Sequence, residues 1–95
     1  MKLHELKIKE VYFKEVLAGS KTFEIRKNDR DFQQGDLIHF NVIDENPNSI
    51  TDVYRYAYSY PSHVFRITYV LKDVPEYGLV KDYCILGIRE LVEKR

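Results

Sequence analysis

A single cysteine, Cys84, in a chain of 95 residues excludes an internal disulfide and a cysteine-based zinc cluster. It lies in the apolar run YCILGI and reads as a small buried hydrophobe. Net charge is missing too. Fifteen basic and fifteen acidic side chains cancel, so no global field draws in a polyanion, and any polyanion site is local. No stretch approaches the roughly 20 apolar residues of a membrane span. The opening MKLHELKIKE alternates polar and apolar residues, where a secretory signal carries roughly 7 to 15 apolar ones together. The expectation is a soluble, cytoplasmic protein with no membrane partner. A glycine-rich phosphate loop, a Gly-x-Ser-x-Gly elbow, internal repeats and low-complexity tracts are all absent. His4, His39 and His63 are scattered, with no carboxylate or cysteine at metal-ligand spacing, so neither a metal nor a cofactor is expected.

What is present is enough apolar surface for one core. Apolar residues make up 44% of the chain and aromatics 14%, well above the level of disordered chains. At this length residues 1–95 form a single domain. LHELKI, residues 3–8, alternates with Leu6 and Ile8 on one face, the pattern of a half-buried strand, and puts His4 on the apolar side as a hydrogen-bonded barrel histidine. EVYFKEVLAGS then spaces Val11, Phe13, Val16 and Leu17 for a short helix ending near residue 18, with Gly19 as its terminating residue. TFEIRK resumes alternation and is read as a strand with Phe23 and Ile25 inward and Thr22, Glu24 and Arg26 on the opposite face.

NDRDFQQGD is a loop of turn formers, LIHFNVI a third strand, HVFRITYVL a fourth, and YCILGIREL a fifth whose apolar continuity implies burial on both sides. Between loop and fourth strand, VYRYAYSYPS carries Tyr54, Tyr56, Tyr58 and Tyr60 at period two. Extended, this segment presents all four rings on one face, either as a base-stacking platform or as a cross-strand aromatic ladder. One early helix followed by strands predicts an α+β fold, a small, partly closed mixed β-barrel of about five or six strands with the helix over one opening. A ferredoxin-like sandwich needs a second sizeable helix, and the sequence offers none.

The segment GSKTFEIRKNDRDFQQGD, residues 19–36, concentrates charge around Phe23 and Ile25. Its Gly19, Lys21, Glu24 and Arg26 form the pattern GxKxxExR, by which the chain resembles the ASCH domain of the PUA-like β-barrel superfamily. HELKIK at 4–9, LAGSKTFEIRKNDRDFQQGD at 17–36, RITYVL at 66–71 and ILGI at 85–88 extend the likeness to small bacterial and phage ASCH-like proteins across nearly the whole chain. The resemblance implies a cleft between helix and barrel, lined by the signature residues, that binds RNA or a nucleotide.

The residues are chemically suited to that role. Lys7 and Lys21 supply point charges, Arg26 and Arg30 planar forks for phosphate or for base stacking, and Glu24 an acceptor for an exocyclic amine or a partner for Arg26. Asn28, Asp29 and Tyr69 complete the expected ligand-binding set. Beside each stands a bland alternative: an ion pair between Glu24 and Arg26, a loop-fixing turn bond from Asn28 or Asp29, and Lys21 complementing the helix C-terminus.

The same resemblance carries an enzymatic alternative, since some bacterial proteins of this fold are acetylcytidine amidohydrolases and certain relatives cleave RNA. Lys21 matches their catalytic lysine, but the threonine expected three residues later is Glu24 here, and Thr22 lies one step too early. In a hydrolase, Lys21 would stabilise an anion and Glu24 act as general base. A protein-interaction adaptor is the third reading. Oligomeric state stays open.

Overall fold

The computed structural model describes residues 1–43 and 63–91. Strand β1 (Leu3–Lys9) runs directly into helix α1 (Glu10–Leu17). No side chain caps the helix start, and its stability comes from burying Phe13 and Val16, three apart on one face, with a Glu10–Lys14 pair at 3.1 Å on the other. At its end the Gly19 N–H bonds the Val16 carbonyl and the Ser20 N–H bonds the Glu15 carbonyl. This double closure places Gly19 at φ +83, so the predicted glycine stop is a Schellman motif.

Strands β2 (Phe23–Lys27), β3 (Leu37–Ile43), β4 (Val64–Lys72) and β5 (Tyr83–Glu90) follow, with a one-turn 3-10 helix at Pro75–Tyr77 between the last two. The five strands form one sheet in the order β1-β3-β4-β5-β2, with β1 parallel to β3 and every other pair antiparallel. The sheet curls into a half-barrel with the helix packed on β1 and β3. The expected α+β barrel-like architecture is therefore found, with five strands among the described residues.

Inside the curl, Leu6 and Ile8 of β1 meet Ile38, Phe40 and Val42 of β3, Phe65 and Ile67 of β4, and Cys84, Leu86 and Ile88 of β5. Phe13 of the helix closes on this layer through edge contacts with Phe40 and Phe65, at centroid distances of 5.9 and 6.4 Å. Cys84 is fully buried, and that burial pushes its thiol pKa up, as for an inert core cysteine. Strand β5 is buried on one face only: Ile85 and Gly87, on the other, are half-exposed, so its apolar continuity is not two-sided burial.

The β2–β3 connection is not a passive loop. Phe32, within its run of turn formers, is buried and lies 4.7 Å from the His4 ring. His4 Nε2 is 2.8 Å from Asp36 Oδ2, and the same carboxylate accepts from the N–H groups of Lys2 and Gln33 at 3.1 and 3.2 Å. The barrel histidine thus finds its partner at the far end of this loop. His39 and His63 also meet carboxylates, those of Glu5 at 2.8 Å and Glu90 at 3.0 Å.

A bulge between Ile67 and Tyr69 breaks the β4–β5 register and brings Thr68 against Gly87. A Cβ on Gly87 would lie 2.7 Å from Thr68 Oγ1, and β-branched threonine has little freedom to swing away. Gly87→Ala should cost about 1–3 kcal/mol by overpacking. Adding Thr68→Ala should restore most of it, as read by urea unfolding of the single and double variants.

Candidate functional site

Among the described residues, strands β1 and β2 are the two edges of the sheet, each paired on one side only. The Leu37 N–H bonds the Lys2 carbonyl, so even-numbered residues of β1 direct their backbone groups to β3 and odd-numbered ones direct theirs to the open edge. Glu5 and Lys7 are odd. Their carbonyls, which the ladder leaves unpaired, accept from Arg30 Nη1 at 2.9 Å and from Arg26 Nη2. The guanidiniums of Arg26, on β2, and Arg30, in the loop after it, therefore bridge toward β1, and side chains rather than a ladder span this part of the seam.

Glu24 sits at the centre of the seam and is only 5% exposed. Lys21 Nζ donates to its Oε1, and Arg26 Nε to its Oε2 at 3.1 Å. Lys21 Nζ also donates to the Phe23 carbonyl at 2.7 Å and lies over the rings of Tyr12 and Phe23, 5.7 and 5.0 Å from their centroids. The expected inward placement of Phe23 and Ile25 is thus reversed: they are 43% and 56% exposed, while Glu24 points in. The cause is the antiparallel register with β5, which sets Glu24 beside inward-facing Leu86 and Arg26 beside inward-facing Cys84. A carboxylate is tolerated there because two cations and their hydrogen bonds compensate its desolvation.

Around this triad opens a cleft of about 570 Å³. Lys7, Ile8 and Lys9 of β1 form one wall, Phe23 to Lys27 of β2 the other, and Tyr12, Lys21 and Tyr83 stand at its margins. Its lining carries five cations, Lys7, Lys9, Lys21, Arg26 and Lys27, against the one carboxylate of Glu24. Three aromatic rings face it in a chain whose total charge is zero.

The structure brings Lys7, Lys21, Glu24 and Arg26 of the expected set together in this cleft. Arg26 and Arg30 spend hydrogen bonds on β1 rather than standing wholly free. Asn28 Oδ1 accepts from the Phe32 N–H at 3.3 Å and fixes the loop, and Asp29 is exposed on that loop. Tyr69 stands on the outer face of β4, away from the cleft lining. Thr22 is likewise not on the cleft; it lines a separate cavity under the end of the helix. Tyr54, Tyr56, Tyr58 and Tyr60 lie outside the described residues.

Sequence reasoning missed Tyr12, Lys9, Lys27 and Tyr83 as cleft residues. Lys9 and Lys27, each at the end of an edge strand, were the available signal. Among the described residues no helix is long and apolar enough to cross a membrane. No curated protein matches the chain. Residues 3–88, most of its length, match the family described as Domain of unknown function (DUF3850), and the chain belongs to that family.

Proposed function

We propose that this half-barrel is of the PUA-like, ASCH type and binds RNA or a nucleotide in the seam cleft. The observation that carries the reading is the local excess of five cations over one carboxylate, interleaved with Tyr12, Phe23 and Tyr83, in a chain of zero net charge. Lys7 and Lys27 are the phosphate contacts, and the three rings offer faces to a base. Glu24 holds Lys21 and Arg26 in place. The resemblance of Gly19, Lys21, Glu24 and Arg26 to the ASCH signature supports the same assignment.

Binding is preferred to hydrolysis because both Glu24 oxygens already accept from cations and the Thr22 hydroxyl lines the other cavity, so among the described residues the cleft holds no hydroxyl paired with a base. Fluorescence anisotropy with a labelled oligouridylate tests the proposal. Affinity should fall with salt at a log–log slope of about −1 to −3, since single strands give roughly −0.7 per phosphate neutralised. Lys7→Ala and Lys27→Ala should each make that slope shallower by about 0.7. Failure to bind oligouridylate or any nucleotide, or binding that neither substitution changes, would refute the assignment.

A further inference from the structure

The outer face of β2, β5 and β4 departs from what an exposed sheet face normally carries. The solvent side of an antiparallel sheet is polar, yet Tyr69 is 59% exposed here, beside the exposed Phe23, Ile25 and Tyr83. The strand register arranges this face in rows. In the first, Arg66 lies directly opposite Arg89, both exposed and neither ion-paired among the described residues. Like charges directly opposite each other destabilise a sheet, so fold stability does not account for the pair.

In the second row Phe23 and Tyr69 both register on Gly87, one from each side. Their backbones are two strand spacings apart, about 9.5 Å, and the Thr68 hydroxyl lies over the glycine between them. Both rings are exposed, and each offers a face to a base. Ile25, Ile85 and Leu71 form the aliphatic third row, and Lys27 beside Tyr83 the fourth. These rows hold three cations and no carboxylate.

We infer that this outer face is a second binding surface, a stacking platform for the bases of a single-stranded nucleic acid whose phosphates are held by Arg66 and Arg89. Its charge fits a polyanion and opposes a second copy, which would set cation against cation. Beside the arginine pair lies a cavity of about 610 Å³ whose polar lining is Arg89, Lys21, Thr22 and Thr68 together with the carboxylate of Glu90, so cations and hydroxyls for phosphate oxygens outnumber the acid. Phe23, Ile25, Lys27 and Tyr83 belong to both this face and the seam cleft, so one strand passes from cleft to platform around the β2 edge. The choice of nucleic acid as the polyanion rests on the cleft reading; the arginine pair and the exposed rings do not.

The experiment compares a tetranucleotide with a dodecamer, in oligouridylate and oligothymidylate forms, on the wild type, Tyr69→Ala, Arg66→Ser and Lys7→Ala. Tyr69→Ala should weaken the dodecamer roughly 5- to 150-fold, as expected for loss of one stacked base, and abolish quenching of a 2-aminopurine placed in it. Arg66→Ser should make the dodecamer salt slope shallower by about 0.7. The tetranucleotide should respond to Lys7→Ala alone. Wild-type dodecamer binding by both outer-face variants overturns the platform, while a response to Lys7→Ala in the same titrations leaves the cleft standing. Binding of neither oligomer by the wild type overturns both. Self-association on sedimentation that Tyr69→Ala abolishes, with nucleic-acid binding unchanged, overturns the platform by assigning the face to a second copy.

Discussion

Replacing Glu24 with alanine is expected to lower the unfolding free energy by about 2 to 4 kcal/mol in urea denaturation. Removing one partner of a buried pair typically costs about 3–5 kcal/mol, because the remaining charge is left uncompensated. The figure is reduced here because the Lys21 and Arg26 side chains keep 17% and 23% of their exposure and gain water. Arg26 also loses the partner that aims its guanidinium at the Lys7 carbonyl, so the seam loosens together with the triad. Glu24→Gln should cost less, since its amide oxygen still accepts from one of the two cations, although its NH2, a donor, cannot accept from the other. If Glu24→Ala unfolds at the wild-type urea midpoint, the triad is a surface feature and not the support of the seam.

Asp36→Ala is expected to be at least as damaging, about 3 kcal/mol or more. It strands three donors at once, the His4 ring and the N–H groups of Lys2 and Gln33, in a site where the carboxylate is 4% exposed. The variant should also release the Phe32 loop, whose buried ring rests beside His4. Asp36 has a second consequence, for pH. Burial alone raises its pKa, but the hydrogen bonds from His4, Lys2 and Gln33 and the His4 charge outweigh that and hold it below its ordinary value of 3.8.

A depressed carboxylate contributes stability above its unfolded pKa and loses it as pH falls through the folded value. The protein should therefore lose stability from about pH 4 downward, and Asp36→Asn, which lacks the ionised carboxylate's contribution, should lower the stability near neutrality and flatten that part of the curve. Urea midpoints of the two proteins across the acid range check this. Parallel curves would show that other carboxylates set the acid limit.

Much of the scaffold was legible in the residues. Alternation in LHELKI placed Leu6 and Ile8 inside, and Gly19 marked the helix end, because each signal depends on nearest neighbours along the chain. The site was legible only in part. Lys21, Glu24 and Arg26 were recognisable as a group, and the ion pair between Glu24 and Arg26 was a foreseeable contact two residues apart. The pairings of Arg26 with the Lys7 carbonyl and Arg30 with that of Glu5 join residues 19 and 25 apart, and neither donor carries a local mark of which edge it will meet.

Phe23 and Ile25 mark the boundary between the two kinds of information. By itself the sequence determined that β2 alternates, that an α-helix follows the first strand, and that the charge is balanced overall but dense between residues 19 and 36. Which face of β2 points inward was decided by its register on β5, and the hydrophobicity rule assigned it backwards because the interior at the seam is a carboxylate held by two cations. The tertiary structure alone set Arg66 against Arg89 and registered Phe23 and Tyr69 on either side of Gly87. The physical reason is common to these cases: a strand's pattern fixes its own two faces, whereas sheet order and register, set by contacts distant in sequence, decide what each face meets.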